Sequence, residues 1–155
     1  LYNTQESHRK IAVAIQQMWN QHLGVGVSIV NQEWKVYLAS QENLDYQVSR
    51  RGWIGDYVDP NTFLDMFITG GGNNKTGFSD PLYDQIVLRD APAAQDRDAR
   101  YELFYQAENI LLEQMPIIPI YTYQSKHLKH PSIKGMPPNI MDYYNYKYVY
   151  LEAEE

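Results

Sequence analysis

The chain of 155 residues has no cysteine. That excludes a disulfide framework, a thiolate zinc site and a cysteine nucleophile, and it fits either the cytosol or a bacterial envelope protein built without disulfides. No run approaches the ~20 apolar residues of a membrane span. A secretory signal pattern is also missing. The chain opens on Leu1 rather than Met and reads as a piece of a longer polypeptide, whose targeting segment would lie upstream. Positive charge is scarce: 13 Lys and Arg stand against 19 Asp and Glu, a net charge of -6. An acidic chain with scattered cations repels phosphate backbones, so nucleic acid is not an expected partner.

Apolar residues make up 44% of the chain, ordinary globular usage in a length suited to one domain. Fourteen Tyr and three Trp exceed what core filling needs. Such rings suit sites with one apolar and one wet side, as in ligand clefts, although a tyrosine-rich surface strand accounts equally well for the C-terminal cluster.

Helical and alternating patterns succeed one another along the chain. Thr4 is a candidate N-cap for a helix carrying Ile11, Ile15, Met18 and Trp19, with Gly24 able to close it in the left-handed conformation. Val25, Val27 and Ile29 alternate as a strand. Strand, helix, strand with short connections predicts a parallel pair and an α/β domain. Residues 32–41 read as a short helix and 45–50 as a third strand. Asp59-Pro60 opens another helix with Phe63, Leu64 and Phe67 on its apolar face, and Asp80-Pro81 opens one through Leu88. Gly70-Gly71-Gly72-Asn73-Asn74 is a flexible loop. It is not a phosphate-binding loop, because Asn74 rather than glycine precedes Lys75-Thr76 and no strand leads in. Residues 96–114 give the clearest helix, with Leu103, Phe104, Ala107, Ile110 and Leu111 in one stripe. Residues 117–123 read as a buried strand, and 143–151 as a strand with no partner earlier in the chain.

The densest chemistry lies in Arg50-Arg51-Gly52-Trp53-Ile54-Gly55-Asp56-Tyr57, a cation, an indole and a carboxylate in one strand-to-loop segment. A guanidinium there can grip a ligand carboxylate in two hydrogen bonds, Asp56 can accept a ligand ammonium, and Trp53 can supply an apolar wall. A peptide zwitterion satisfies both charges. The plainer alternative is that Arg50 and Asp56 are salt-bridged to protein neighbours and Trp53 is core.

That segment, with Leu1-Tyr2-Asn3-Thr4, His8-Arg9-Lys10, Asn31-Gln32-Glu33-Trp34-Lys35, Asp59-Pro60, Phe63-Leu64 and Ile117-Ile118-Pro119-Ile120-Tyr121 in this order, resembles the oligopeptide-binding proteins of bacterial ABC importers. These belong to the extracytoplasmic solute-binding family that includes dipeptide and nickel binders. The resemblance implies part of the second lobe of a periplasmic-binding-protein-like type II fold, an α/β domain with a mixed sheet flanked by helices. It assigns residues 1–125 to the later part of that lobe and 126–155 to a segment returning to a first lobe. It also implies peptide binding without catalysis or a cofactor, membrane permease subunits as partners, and a place in the periplasm or on the outer face of the cytoplasmic membrane. By position it makes Asp56 the anchor of the peptide α-amino group, Trp53 and Trp34 pocket aromatics, and Arg50 and His8 contacts to the ligand carboxylate. Gly52, Asn73 and Tyr121 fall near the pocket.

Ile54-Gly55 and Val58-Asp59 depart from the expected pattern and leave peptide length and side-chain preference open. A non-peptide ligand (nickel complex, haem or oligosaccharide) is the alternative within the family. A glycoside hydrolase using Asp56 and Asp59 is the alternative outside it, although Asp59 before Pro60 is better explained as a helix cap. His127 and His130 lack a third ligand, so no metal site is expected.

Overall fold

The computed structural model describes residues 2–3, 5–139 and 141–153. Helix α1 (Glu6–Leu23) starts after Gln5, which is extended, and closes on Gly24 at φ 66. There the amides of Gly24 and Val25 return to Asn20 and Trp19, the closure that glycine allows without a Cβ clash. The expected cap Thr4 lies outside the described residues. Strands β1 (Tyr2–Asn3) and β2 (Asn31–Gln32) flank α1 and pair in parallel, Tyr2 with Asn31 and Asn3 with Gln32. The predicted strand–helix–strand unit therefore forms, but pairing starts after the valine alternation rather than in it. Among the described residues only Tyr2–Asn3 pairs with this stretch, so residues 25–30 run without a ladder.

Helix α2 (Trp34–Glu42) follows, its first turn capped by the Glu33 side chain accepting from the Lys35 amide at 2.9 Å. The third strand expected over 45–50 is irregular. Side chains of α2 anchor its end instead: the buried Tyr37 hydroxyl donates to the Arg50 carbonyl, and Gln41 Nε2 donates to Ser49 Oγ at 2.9 Å.

Helix α3 (Asn61–Leu64) runs into a 3₁₀ turn (Asp65–Phe67). Helix α4 (Pro81–Gln85), capped by Asp80, widens into a π-turn (Ile86–Asp90) and continues as α5 (Ala91–Ala93), beyond the end expected at Leu88. The π-turn sits just before Pro92, which has no N–H for the ladder, and the Ala91 amide reaches back to Ile86. Helix α6 (Arg97–Gln114) is capped by Asp96, whose Oδ2 accepts from the Ala99 amide at 2.8 Å. The core lies among these helices: Leu64, Tyr83, Ile86, Val87, Ala91, Phe104, Ala107 and Leu111. Leu103 and Ile110 flank it, so the stripe read from the sequence faces inward.

Residues 117–123 find no strand partner among the described residues, and apart from Ile117, partly buried against the core, they are exposed. The strand expected over 143–151 shrinks to β4 (Tyr150–Leu151) after a 3₁₀ turn (Tyr146–Tyr148). It has a partner within the chain, β3 (Ile133–Lys134), antiparallel with Ile133 opposite Leu151. No helix among the described residues is long and apolar enough to cross a membrane.

One ion pair ties α3 to α6. Arg100 Nη1 and Nη2 donate to Asp59 Oδ2 and Oδ1 at 2.6 and 2.9 Å, while Asp59 Oδ1 also accepts from the Asn61 amide at 2.9 Å. Side-chain exposures of 28% and 27% leave the pair only partly screened. Replacing Arg100 with alanine is expected to lower stability by about 1–2 kcal/mol, read from the urea midpoint. The arginine hydrogen bonds hold the Asp59 carboxyl below its ordinary range. The pair's contribution is therefore complete above about pH 4 and is lost as pH falls through the depressed value. R100A should accordingly lose less stability on acidification than the parent.

Candidate ligand-binding site

A concave cleft of about 420 Å³ opens where four stretches of chain meet. The start of α1 contributes Gln5, Ser7 and His8, and the start of α2 contributes Trp34. Arg50 comes from the irregular segment after α2, and Tyr121 and Tyr123 from the extended segment after α6. Trp34 stacks on Tyr37 with centroids 5.6 Å apart, and Tyr121 meets Tyr123 edge-on at 5.3 Å. The cleft thus joins two aromatic walls to one guanidinium. Arg50 Nη2 donates to the Tyr123 hydroxyl. His8 is buried, and that burial, aided by the Arg50 charge, lowers its pKa and keeps the imidazole neutral at pH 7. Below its ordinary value of about 6.5, protonation favours the unfolded chain, so this residue makes the fold less stable as pH falls.

A second concavity of about 410 Å³ lies between the turn after Arg50 and the π-turn. Asp56 and Asn73 line it, with Asn61, Asp65, Leu88 and Pro92 among their neighbours. Asp56 is exposed; its amide donates to Thr62 Oγ1 at 2.9 Å, and no ion pair to its carboxylate occurs among the described residues. Asp65 Oδ2 is already taken, accepting from the Tyr57 hydroxyl at 2.7 Å.

The structure therefore gathers His8, Trp34, Arg50 and Tyr121 at one surface and Asp56 with Asn73 at another. Trp53 lines neither; it is half-buried, with its indole Nε1 enclosed and without a hydrogen-bond partner among the described residues. Gly52 lines neither, yet it lies directly behind the Arg50–Tyr123 contact. Tyr123, Gln5 and Ser7 are cleft residues that the sequence did not single out. The Tyr121-Thr122-Tyr123 spacing, two rings on one side of an extended segment, was the available signal for Tyr123. The salt-bridged alternative for Arg50 and Asp56 does not hold among the described residues; the bridged aspartate is Asp59. The Arg100 hydrogen bonds that hold the Asp59 carboxyl low disfavour the protonated form that a glycosidase general acid needs. His127 Nε2 meets Asp142 Oδ1 at 2.7 Å, and His130 Nδ1 meets Ser132 Oγ at 2.9 Å, so both rings brace the C-terminal segment.

Residues 1–75 match the family model for bacterial extracellular solute-binding proteins, family 5 Middle. The chain is 44% identical over 139 residues to the periplasmic murein peptide-binding protein MppA of Escherichia coli, covering 90% of this chain and 26% of that protein. It is 41% identical over 136 residues to the oligopeptide-binding protein OppA of Bacillus subtilis, covering 87% and 25%. The solved structure of Haemophilus influenzae OppA in complex with RPPGFSPFR superposes with a TM-score of 0.80 at 33% identity, covering 97% of this chain and 30% of that one. The chain spans about a quarter of the length of these curated relatives. Its fold is that of part of a periplasmic peptide-binding-protein lobe, and over residues 1–75 its sequence is that of the bacterial extracellular solute-binding proteins of family 5.

Proposed function

We propose that the polypeptide to which this chain belongs is the solute-binding component of an ABC importer for peptides. It works in the periplasm or on the outer face of the cytoplasmic membrane and delivers ligand to membrane permease subunits. Residues 1–125 belong to one lobe and 126–155 lead back to another, with the peptide held between the lobes. The observation that carries this reading is Asp56: an exposed carboxylate on a concave surface, six positions from the Arg50 guanidinium of the neighbouring cleft, with no protein cation paired to it among the described residues. An extended peptide along this segment presents its ammonium to Asp56 and its carboxylate to Arg50, with Trp34 and Tyr121 beside its side chains. His8, neutral at pH 7, donates to the carboxylate of longer peptides, and Asn73 and Gly52 border the path.

Magnitudes require the second lobe. An exposed ion pair contributes ~0–1 kcal/mol, whereas micromolar affinity needs ~8 kcal/mol. Closure must exclude water around Asp56, and strand-like backbone hydrogen bonds must supply much of the remainder. Backbone readout ignores sequence, which favours a broad range of peptides. Calorimetry on the full-length protein with a tripeptide and its N-acetylated form tests the reading. The free amine is expected to bind at least tenfold more tightly, and equal affinity would remove the amine anchor.

A further inference from the structure

Arg50 is held at both of its ends. At the backbone end, the Tyr37 hydroxyl donates to the Arg50 carbonyl while accepting from Gln41 Nε2 at 2.8 Å. Gln41 Nε2 also reaches Ser49 Oγ at 2.9 Å. Tyr37 and Gln41 are 3% and 4% exposed, so this bracket is part of the packed face of α2 rather than a surface accident. At the guanidinium end, Nη2 donates to the Tyr123 hydroxyl, a residue 73 positions away. That contact passes over Gly52. A Cβ there would lie 2.6 Å from the Tyr123 hydroxyl and 3.2 Å from Arg50 Nη2. Real Cβ atoms do not tolerate the first distance, so any side chain at position 52 displaces the tyrosine oxygen.

From this geometry we infer that Tyr123 and Gly52 are positioning residues for ligand-carboxylate recognition. The missing side chain of Gly52 admits the Tyr123 hydroxyl, which takes an Nη2 N–H at one edge of the guanidinium and aims its remaining N–H groups into the cleft. An arginine on a long flexible stem loses rotamer freedom when it binds, and fixing it beforehand removes part of that loss. A planar fork held in one orientation also favours a bidentate carboxylate over a neutral amide, which offers one acceptor oxygen. The tyrosine oxygen is suited to the task because it accepts a hydrogen bond without adding charge that would compete with the ligand. This inference rests on the reading of Arg50 as the carboxylate contact.

The test compares a tripeptide acid with its C-terminal amide by calorimetry on the full-length protein. Y123F should weaken the acid roughly fivefold to tenfold, the effect of one lost hydrogen bond, and leave the amide unchanged. G52A should do the same by displacing an unsubstituted Tyr123. R50A should abolish the preference for the acid, and adding Y123F to R50A should have no further effect. Thermal melts matching the parent would show that Y123F remains folded. If Y123F keeps the parental acid preference, or weakens acid and amide equally, the positioning role is overturned while the Arg50 reading stands. If the parent binds acid and amide alike, or R50A keeps the preference, the carboxylate role of Arg50 fails, and the positioning role fails with it.

Discussion

Replacing Asp56 with alanine in the full-length protein is expected to weaken a free-amine tripeptide by roughly 100-fold, about 2.7 kcal/mol. In the closed protein the ligand ammonium would have lost its water. Asp59 is committed to Arg100, and Asp65, on the same concavity, already accepts from the Tyr57 hydroxyl at one of its oxygens, so it replaces Asp56 only in part. Truncating one partner of a desolvated charge pair leaves the other buried and unpaired, which is why the effect exceeds that of a surface pair. The N-acetylated peptide carries no ammonium and should lose threefold or less. Titration of both peptides against both proteins gives a four-way comparison. A loss shared equally by the two peptides would mean that Asp56 shapes the loop rather than meeting the amine. Its amide bond to Thr62 Oγ1 gives that outcome a physical route, and Asp56→Asn, which keeps the backbone and the side-chain size, separates the two cases.

The largest stability effect is expected at Phe104. Its ring is 5% exposed and packs among Leu64, Tyr83, Ile86 and Val87, where α6 crosses the α4–α5 segment. It also lies beneath the Arg100 guanidinium, whose Cζ is 4.6 Å from the ring centroid. Phe104→Ala removes a large apolar side chain from a close-packed site and should destabilise the chain by about 3–5 kcal/mol in urea unfolding. Two companions calibrate the measurement. Tyr83 is fully buried, and its hydroxyl donates to the Leu64 carbonyl at 2.6 Å. Tyr83→Phe removes that hydrogen bond at a cost of about 0.5–1.5 kcal/mol. Leu82, the preceding residue on the same helix, is 57% exposed, and Leu82→Ala should stay within about 0.5 kcal/mol. Were Phe104→Ala no worse than Leu82→Ala, the core would lie elsewhere.

The helices are legible in the amino-acid sequence because their determinants are local. Asp80 and Asp96 cap their helices with side-chain oxygens, Gly24 closes α1 in the left-handed region, and the stripe from Leu103 to Leu111 repeats at the helical period. Each of these operates within about one turn of chain. The resemblance to a solute-binding family is legible for a different reason: its weak motifs occur in a fixed order from Leu1 to Tyr121.

Strands and the site's layout are not legible in the same way. An alternating pattern states which side chains share a face, but a strand exists only where another backbone completes its ladder. Residues 25–30 and 45–50 alternate and 117–123 form a largely apolar run, yet none is paired among the described residues, whereas Ile133–Lys134 and Tyr150–Leu151 find each other across an irregular stretch. Likewise, the sequence named His8, Trp34, Arg50 and Tyr121, but only tertiary packing set them around one cleft, turned Asp56 into another and brought Tyr123 across Gly52 to Arg50. Residue type and local spacing fix what a side chain can do; which partner it meets depends on long-range contacts that no local pattern encodes.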